Sequence, residues 1–430
     1  MKVSKFGGSS LSDANQIKKA LAIIQADPER AYIVVSAPGK RNLLDEKITD
    51  LFSDWHKGDQ PSAKQAKEII LTRYTEIVSG LGISFDLAGE FAEIEFKIDQ
   101  GASRDYAISR GEYLNGKIIA LALNFDFVDA KSCIFFYGNE KPLKNDAKIR
   151  EMIEGRRVVI PGFYGILPSG EVKTFSRGGS DVTGAIIARA VQAEIYENWT
   201  DVSGLLMADP RIVHQPRKIH SITYRELREL TYMGANVFHE EAMFPVQEAG
   251  ITTNIRNTNN PQDSGTYIVN KDSRCDKGNI IGLAGRKNFT VITIEKIMMN
   301  QQVGFVRRIL TVLEENEISF EHMPSGIDTL SIIIDDKQLD GKLEKVVRQI
   351  KSGCSPDTLE VYPNMSMIAV VGRAMVHVPG MAAKVFTAVA NEKINIRMIN
   401  QGSSEISIII GVENEDYEKA VKAIYQTFVK

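Results

Sequence analysis

Apolar residues recur along this chain with two distinct periods. Short β-branched and aromatic runs at residues 3–6, 32–35, 158–160, 195–199 and 252–257 predict buried strands. Helical spacing follows or separates them: Ile17, Ala20, Leu21 and Ile24, then Ile69, Tyr74, Ile77 and Val78, then Ile118, Ile119 and Leu121. Residues 43–124 carry this helical period with few breakers, and residues 224–233 predict another helix. Glycines bound a turn-rich, hairpin-like stretch at 165–170. Strands alternating with helices predict an α/β fold on a parallel sheet. Ligands of such sheets gather at the carboxyl ends of the strands.

Two strand exits carry glycine-rich loops. Gly7, Gly8, Ser9 and Ser10 follow the first strand, with Lys5 just before the turn. The second loop, TFSRGGSDVTGAIIARAV at 174–191, feeds a helix whose first turn holds Ser180 and Asp181. Glycines let backbone approach a ligand, and a helix N-terminus favours an anion. Arg177 adds a cationic fork. The plainer alternatives are a solvated strand lysine and a capped loop-to-helix junction. Ser36 lies at the exit of the second strand, on the same rim as Lys5, Gly7 and Gly8. Thr49 reads as a mid-helix threonine, and Glu112, in SRGE, reads as a residue of a helix's first turn. Thr200, Asp201, Asp209 and Arg211 follow a further strand, a pattern that suits a nucleotide with its metal or, equally, two turns.

The C-terminal third repeats itself. Residues 304–334 align without a gap with residues 380–410, and each copy has a strand before it, at 289–295 and 366–371. Each copy reads as a β-α-β-β-α ferredoxin-like unit. The first has a fourth strand at 358–362. The second ends at a helix spanning 417–428 with no fourth strand. The unassigned strand at 279–284 is expected to complete it, interlocking the pair.

Composition narrows the function. Of 430 residues, 43% are hydrophobic and 25% charged, with a net charge of −3. At roughly 100–200 residues per domain, that length predicts two or three domains. The charge gives no pull towards nucleic acid or membrane, so any cationic site is local. Cys133, Cys275 and Cys354 have no metal-ligand or redox spacing, and no apolar signal region opens the chain. A cytoplasmic protein is expected.

Taken together, KFGGSS (5–10), VVSA (34–37), RGE (110–112), SRGGSD (176–181), WTDVSG (199–204), ADPRIV (208–213) and IRNT (255–258) resemble the aspartate kinase family. The repeated units resemble ACT domains. The resemblance implies an amino-acid-kinase-type α/β/α sandwich over 1–278. Two ferredoxin-like ACT units would follow at 279–364 and 365–430, with 279–285 completing the second. It implies transfer of the ATP γ-phosphoryl group to the β-carboxylate of L-aspartate, with Mg2+, as the first step towards lysine, threonine, methionine and diaminopimelate. Lys5 and Asp181 would be catalytic. Ser36, Thr49, Glu112, Arg177 and Ser180 would bind aspartate. Lys5, Gly7, Gly8, Ser9, Thr200, Asp201, Asp209 and Arg211 would hold ATP. No side-chain metal cage is expected. A homodimer through the ACT units is implied, with lysine, threonine or both as effector.

The family often shows GAKVLHPRA where this chain reads GANVFHEEA (234–242), so Asn236 replaces a lysine that would face the phosphates. Within the repeats, Asn300, Gln301 and Gln302 make the first loop more polar than Val376, His377 and Val378 make the second. An amino-acid effector is therefore expected in the first unit, at Asn300, Gln301, Gly304, Phe305, Ser325 and Asp328. Two other readings stand beside it: a sister kinase acting on glutamate or acetylglutamate, which shares the fold but is not expected to carry KFGGSS with paired ACT units, and an amino-acid sensor with a dead kinase domain. Intact Lys5, Arg177 and Asp181 argue against the sensor.

Overall fold

The computed structural model describes residues 1–58, 61–137, 141–142, 144–176, 178–235, 240–271 and 280–429. Arg177, Asn236 and Asn279 lie outside the described residues. The chain forms two compact units. One comprises Met1–Leu205, Lys218–Leu227 and Asn236–Ser273; the other Leu206–Arg217, Arg228–Ala235 and Arg274–Lys430. No helix among the described residues is long and apolar enough to cross a membrane.

The first unit is built on an eight-stranded sheet. In chain order its strands are β1 (Lys2–Phe6), β2 (Arg30–Val35), β3 (Asp126–Phe127), β4 (Val158–Pro161), β5 (Ile195–Thr200), β6 (Ser221–Thr223), β7 (Thr252–Asn257) and β8 (Thr266–Val269). Their spatial order is β6-β8-β7-β5-β1-β2-β4-β3. β1 pairs in parallel with both β2 and β5, β2 with β4, and β5 with β7; β8 runs antiparallel to β7. The exits of β1, β2, β4, β5 and β7 therefore share one rim. Parallel strands covered on both faces read as continuous apolar runs, as Ile33–Val35 does, fully buried; β1 is buried too but carries Ser4 and Lys5 between Val3 and Phe6.

The first helix is α1 (Ala14–Gln25), capped by Asp13, whose carboxylate accepts from Gln16 N–H at 2.9 Å. The long helical stretch resolves into α2 (Ile48–Lys57), α3 (Ser62–Leu81), α4 (Leu87–Asp99) and α5 (Arg104–Leu123). α6 (Asp146–Ile153), α7 (Gly179–Ala190), α8 (Tyr224–Tyr232) and α9 (Glu240–Glu248) follow. The hairpin expected near 165–170 joins Tyr164–Ile166 to Val172–Thr174.

Two local expectations are corrected. Thr49 is the second residue of α2, not a mid-helix residue, because the helix starts only at Ile48. Glu112 lies in the middle of α5, not in a first turn. Ser103 caps that helix, accepting from Tyr106 N–H at 3.2 Å. Gly111, which suggested a helix start, is required by packing: a Cβ there would stand 2.8 Å from the Ala37 Cβ and 3.0 Å from Ile48.

Behind β1 and β5 lies a buried polar network. Glu197 accepts from Arg30 Nε at 2.7 Å, Ser4 Oγ at 2.8 Å and Trp199 Nε1 at 2.9 Å. Burial raises the Glu197 pKa, but the Arg30 contacts outweigh it and hold the carboxyl below its ordinary value. Arg30 and Arg256 sit over the Trp199 ring, at 5.3 and 4.5 Å from its centroid, and Phe6 stacks against it at 5.9 Å.

The second unit carries a five-stranded sheet. Its strands are β9 (Gly282–Glu295), β10 (Thr329–Asp335), β11 (Thr358–Val371), β12 (Met398–Asn400) and β13 (Ser407–Glu413), in the order β10-β9-β11-β13-β12. Its main helices are α10 (Phe305–Glu315), α11 (Leu343–Cys354), α12 (Met381–Asn391) and α13 (Tyr417–Phe428). The strands expected separately at 279–284 and 289–295 form one strand, and so do those at 358–362 and 366–371. β9 and β11 pair antiparallel over their length, so Gly282–Arg286 lies against Met367–Val371 of the second repeat. In the first repeat, the strand expected after α10 is reduced to isolated bridges, His322 to Ile333 and Ser325 to Leu330.

Removing one partner of a buried ion pair leaves the other charge stranded. Glu197→Ala should destabilise the first unit by about 3–5 kcal/mol, read as a lower urea midpoint in tryptophan fluorescence. Arg30→Ala should cost a similar amount, and the double variant less than the two together.

Candidate active site

The rim of the first sheet holds a cleft of about 260 Å³ lined by Lys5, Ser36, Lys47, Thr49, Asp50, Glu112, Phe163, Gly178, Gly179, Ser180 and Asp181. Residues from six separate stretches of sequence meet there. Lys5, Ser36, Thr49, Glu112, Ser180 and Asp181 were all singled out from the sequence.

Lys5 is next to last in β1 and is nearly buried. Its ammonium stands 2.6 Å from Asp181 Oδ1, in the first turn of α7. Asn198 completes the group: it is the register partner of Lys5 across the β1–β5 ladder. Its Nδ2 donates to Asp181 Oδ1 at 2.9 Å, and its Oδ1 receives a longer 3.4 Å contact from the Lys5 ammonium. Sequence reasoning missed Asn198. The signal was there, in polar side chains at positions 197 and 198 inside an otherwise apolar buried strand.

The two glycine loops work by packing as well as by ligand access. Gly7 N–H donates to the Trp199 carbonyl at 2.9 Å, and Gly39 N–H to the Gly8 carbonyl at 2.9 Å. A Cβ on Gly39 would lie 2.6 Å from the Gly8 backbone, so the exits of β1 and β2 touch main chain to main chain. Gly178 takes φ 56° as the residue before α7. A Cβ on Gly179 would strike Phe163 and Phe175 at 2.8 Å, and one on Gly162 would strike Ser180 at 2.6 Å. Phe163 itself adopts φ 77°, a conformation uncommon for a side chain of this size, against the start of α7. That helix begins without a capping side chain. Its first N–H groups thus remain available to an anion.

Glu112 faces the cleft from α5. Asn115, on the same helix, donates to the Ser36 carbonyl at 2.7 Å, and Tyr74 to the Gly111 carbonyl at 2.7 Å. These contacts and the missing Cβ of Gly111 bring α5 close to the β2 exit. Glu112 is 5% exposed, and its Oε2 has no hydrogen-bond partner among the described residues. Burial, only partly offset by backbone N–H groups and Arg110, pushes its carboxyl up to about 8. A buried acid with one oxygen unpartnered can receive a substrate cation once it gives up its proton.

At the β5 exit, Thr200 Oγ1 bonds Asp201 at 3.0 Å. Asp209 and Arg211 fall in the second unit, where an exposed Arg211 guanidinium folds back onto Asp209. That pair lowers the Asp209 carboxyl. Among the described residues no group of three or more His, Cys, Asp or Glu side chains is arranged to hold a metal ion.

The expected effector residues gather at one end of the second unit's sheet. Asn300 and Gln301 end a one-turn helix, Gly304 precedes α10 with φ 77°, and Phe305 is buried beneath. Lys296 N–H donates to the Asp328 carbonyl at 2.8 Å, joining this loop to the 325–328 turn. Asp328 Oδ1 is buried without a partner among the described residues.

Residues 1–257 match the amino acid kinase family, and residues 368–428 match the ACT domain. Aspartokinase 3 of Bacillus subtilis (strain 168) is 38% identical over 450 residues, spanning 100% of this chain and 98% of that protein. The crystal structure of Clostridium acetobutylicum aspartate kinase superposes with a TM-score of 0.94 at 53% identity, covering 100% of both chains. E. coli aspartokinase III, in complex with aspartate and ADP, shares the fold at 23% identity, with a TM-score of 0.79 and 100% of both chains covered. The same E. coli enzyme with lysine and aspartate superposes with a TM-score of 0.78. The family match over residues 1–257, the 38% identity along the full chain and the close superposition together show that the chain belongs to the aspartokinases of the amino acid kinase family.

Proposed function

We propose that this aspartate kinase transfers the γ-phosphoryl group of ATP to the β-carboxylate of L-aspartate, giving 4-phospho-L-aspartate and ADP. The carrying observation is the buried Glu112 carboxyl, whose Oε2 has no partner among the described residues, in the same cleft as the Lys5–Asp181 pair. One end of the cleft suits an ammonium, the other a phosphate. A carboxylate oxygen of the substrate forms the new P–O bond as the bond to the ADP oxygen breaks. The nucleophile is already ionised, so no general base is needed. The barrier is repulsion between anions and charge on the moving phosphoryl group. Lys5, the N–H groups of Gly8 and Ser9 in the glycine loop and the α7 N-terminus oppose that charge. Asp181 and Asn198 hold Lys5 in position. Ser36, Thr49, Ser180 and Arg177 grip aspartate, and Glu112 takes its ammonium after giving up its proton. Thr200, Asp201, Asp209 and Arg211 serve the nucleotide. Mg2+ would arrive on the ATP phosphates, which supply most of its ligands, and would neutralise their charge; that fits a site with few carboxylates.

In the same proposal, residues 1–278 are the catalytic domain, 279–364 a first ACT domain and 365–430 a second, completed by 279–285. The internal repeat supports the first ACT assignment. The enzyme would be a cytoplasmic homodimer joined through its ACT domains. It would open the route to lysine, threonine, methionine and diaminopimelate, with lysine, threonine or both feeding back at Asn300, Gln301, Gly304, Phe305, Ser325 and Asp328. The Clostridium acetobutylicum relative is described as allosteric, and the E. coli enzyme takes lysine in its T-state.

The test is acyl phosphate formation with ATP and Mg2+, trapped by hydroxylamine, on aspartate, glutamate and acetylglutamate in parallel. Hydroxamate from aspartate alone is expected; a preference for either competitor would overturn the substrate assignment. In that assay Lys5→Ala should lose at least ~100-fold in kcat, and a normal kcat would remove Lys5 from its role.

Glu112 sets a pH dependence. Below about 8 the free enzyme keeps a proton on Glu112 that substrate must displace. KM for aspartate should therefore fall as pH rises towards that value and then level off, by at most about tenfold per pH unit. Glu112→Gln should abolish the slope. The same raised pKa contributes stability in acid that is lost as pH rises through about 8.

Of lysine and threonine, titrated singly and together, at least one, or the pair, should inhibit. Asp328→Ala should raise the concentration for half-inhibition by ~tenfold, and activity indifferent to both amino acids would end the regulatory reading.

A further inference from the structure

One cation in the cleft is not accounted for by any of these roles. Lys47 is the residue immediately before α2, with extended backbone at φ −74° and ψ 137° and no side-chain capping bond. Its carbonyl receives the N–H groups of Asp50 and Leu51 at 3.0 and 3.1 Å. A capping position favours Ser, Thr, Asp or Asn, whose oxygen satisfies a free N–H. A cation there also opposes the positive end of the helix dipole. Lysine is therefore a poor choice for the helix it precedes. Residues that break a local rule without local compensation mark functional positions.

Three further observations turn that misfit into a role. Lys47 lines the same cleft as Lys5, Ser36, Thr49, Glu112 and Ser180. Lys5 has its charge matched by Asp181 at 2.6 Å, whereas Lys47 has no ion-pair partner among the described residues. The loop that delivers Lys47 is also tied down. Arg73, 1% exposed, donates from Nη2 to both carboxylate oxygens of Asp45, at 2.6 and 2.5 Å. Its Nη1 reaches the Gly39 and Ser12 carbonyls at 3.2 and 3.3 Å. Arg41 adds a 3.1 Å contact from Nε to Asp45. Burial favours the neutral Asp45 carboxyl, but the Arg41 and Arg73 guanidiniums outweigh it and hold the group well below its usual range. A fixed anchor two residues upstream thus sets where Lys47 starts, and its flexible stem supplies the reach.

We propose that Lys47 is a further substrate-binding residue, whose ammonium pairs with a carboxylate of the amino-acid substrate while Glu112 takes the ammonium. This rests on the aspartate reading above. Aspartate carries two carboxylates and one ammonium, so a cleft whose other described lysine is already neutralised gains from a second, unmatched cation. The α2 N-terminus and the Thr49 hydroxyl lie beside it on the same side of the cleft.

The test compares wild type with Lys47→Met, which keeps most of the stem and removes the charge, and Lys47→Arg, which keeps the charge. Lys47 is exposed, so both variants should fold, and thermal melts will verify this. Aspartate binding is measured by calorimetry without nucleotide, and KM for aspartate and for ATP by initial rates. Lys47→Met should weaken aspartate binding and raise its KM by ~tenfold, the loss of one charge-assisted hydrogen bond. KM for ATP should change by no more than about twofold, and Lys47→Arg should recover most of the loss. Added salt should weaken aspartate binding more in wild type than in Lys47→Met, because screening acts on the ion pair the variant lacks. Unchanged aspartate binding, or a loss confined to KM for ATP, overturns the inference. Wild type yielding no aspartyl hydroxamate would instead overturn the substrate assignment beneath it, and this inference with it.

Discussion

The pairing of Lys5 with Asp181 is the constraint on which the first unit's site depends. A lysine this buried is costly unless a carboxylate meets it. Meeting it fixes the start of α7 against β1, with Asn198 locking the carboxylate from the neighbouring strand. Everything aimed at phosphate is attached to that group. The Gly7 N–H is held by the Trp199 carbonyl, one residue beyond Asn198, and Trp199 is held by Glu197, one residue before it. The parallel register of β1 with β5 thus sets loop, lysine and helix in one motion. A slip of one residue would turn Lys5 and Asn198 to opposite faces.

Electrostatically the cleft is divided. Near the strand exits the charges are matched: an ammonium and a carboxylate in contact. On the α5 side sits an acid that holds its proton because burial favours the neutral form. Near α2 sits a lysine with no partner among the described residues. In the proposed reading, an amino acid with two carboxylates and an ammonium would answer the last two of these on arrival. Discrimination of this kind arises where buried polar groups go unsatisfied without the right ligand.

The second unit is organised by strand continuity. β9 and β11 each run through both repeats, so the two halves share backbone and not merely an interface. The first repeat leaves its post-helix strand as two bridges, and that irregular stretch leads to Ser325 and Asp328. Regular pairing is relaxed where the loop must turn towards Lys296 and the start of α10.

Strand runs, helix periods, the glycine loops and the internal repeat were all legible in the sequence, because each is a local pattern of apolar spacing or backbone freedom. Lys5, Ser36, Ser180 and Asp181 were legible for the same reason, as members of strand-exit loops, and Thr49 and Glu112 through the family resemblance. Asn198 was not, since its role depends on which strand lies beside β1, and pairing partners are not encoded by neighbours in the chain. Nor was the setting of Glu112: Gly111 reads locally as a helix start, yet it is a contact point for Ala37 and Ile48. Lys47 was not singled out either, because its place just before α2 and in the cleft depends on where that helix begins and what lies beside it. The sequence by itself determined the elements, the repeat and most of the chemistry-bearing residues. Only the tertiary structure decided which charges are matched, which acid keeps its proton and which cation is left over, because those depend on distances between segments far apart in the chain.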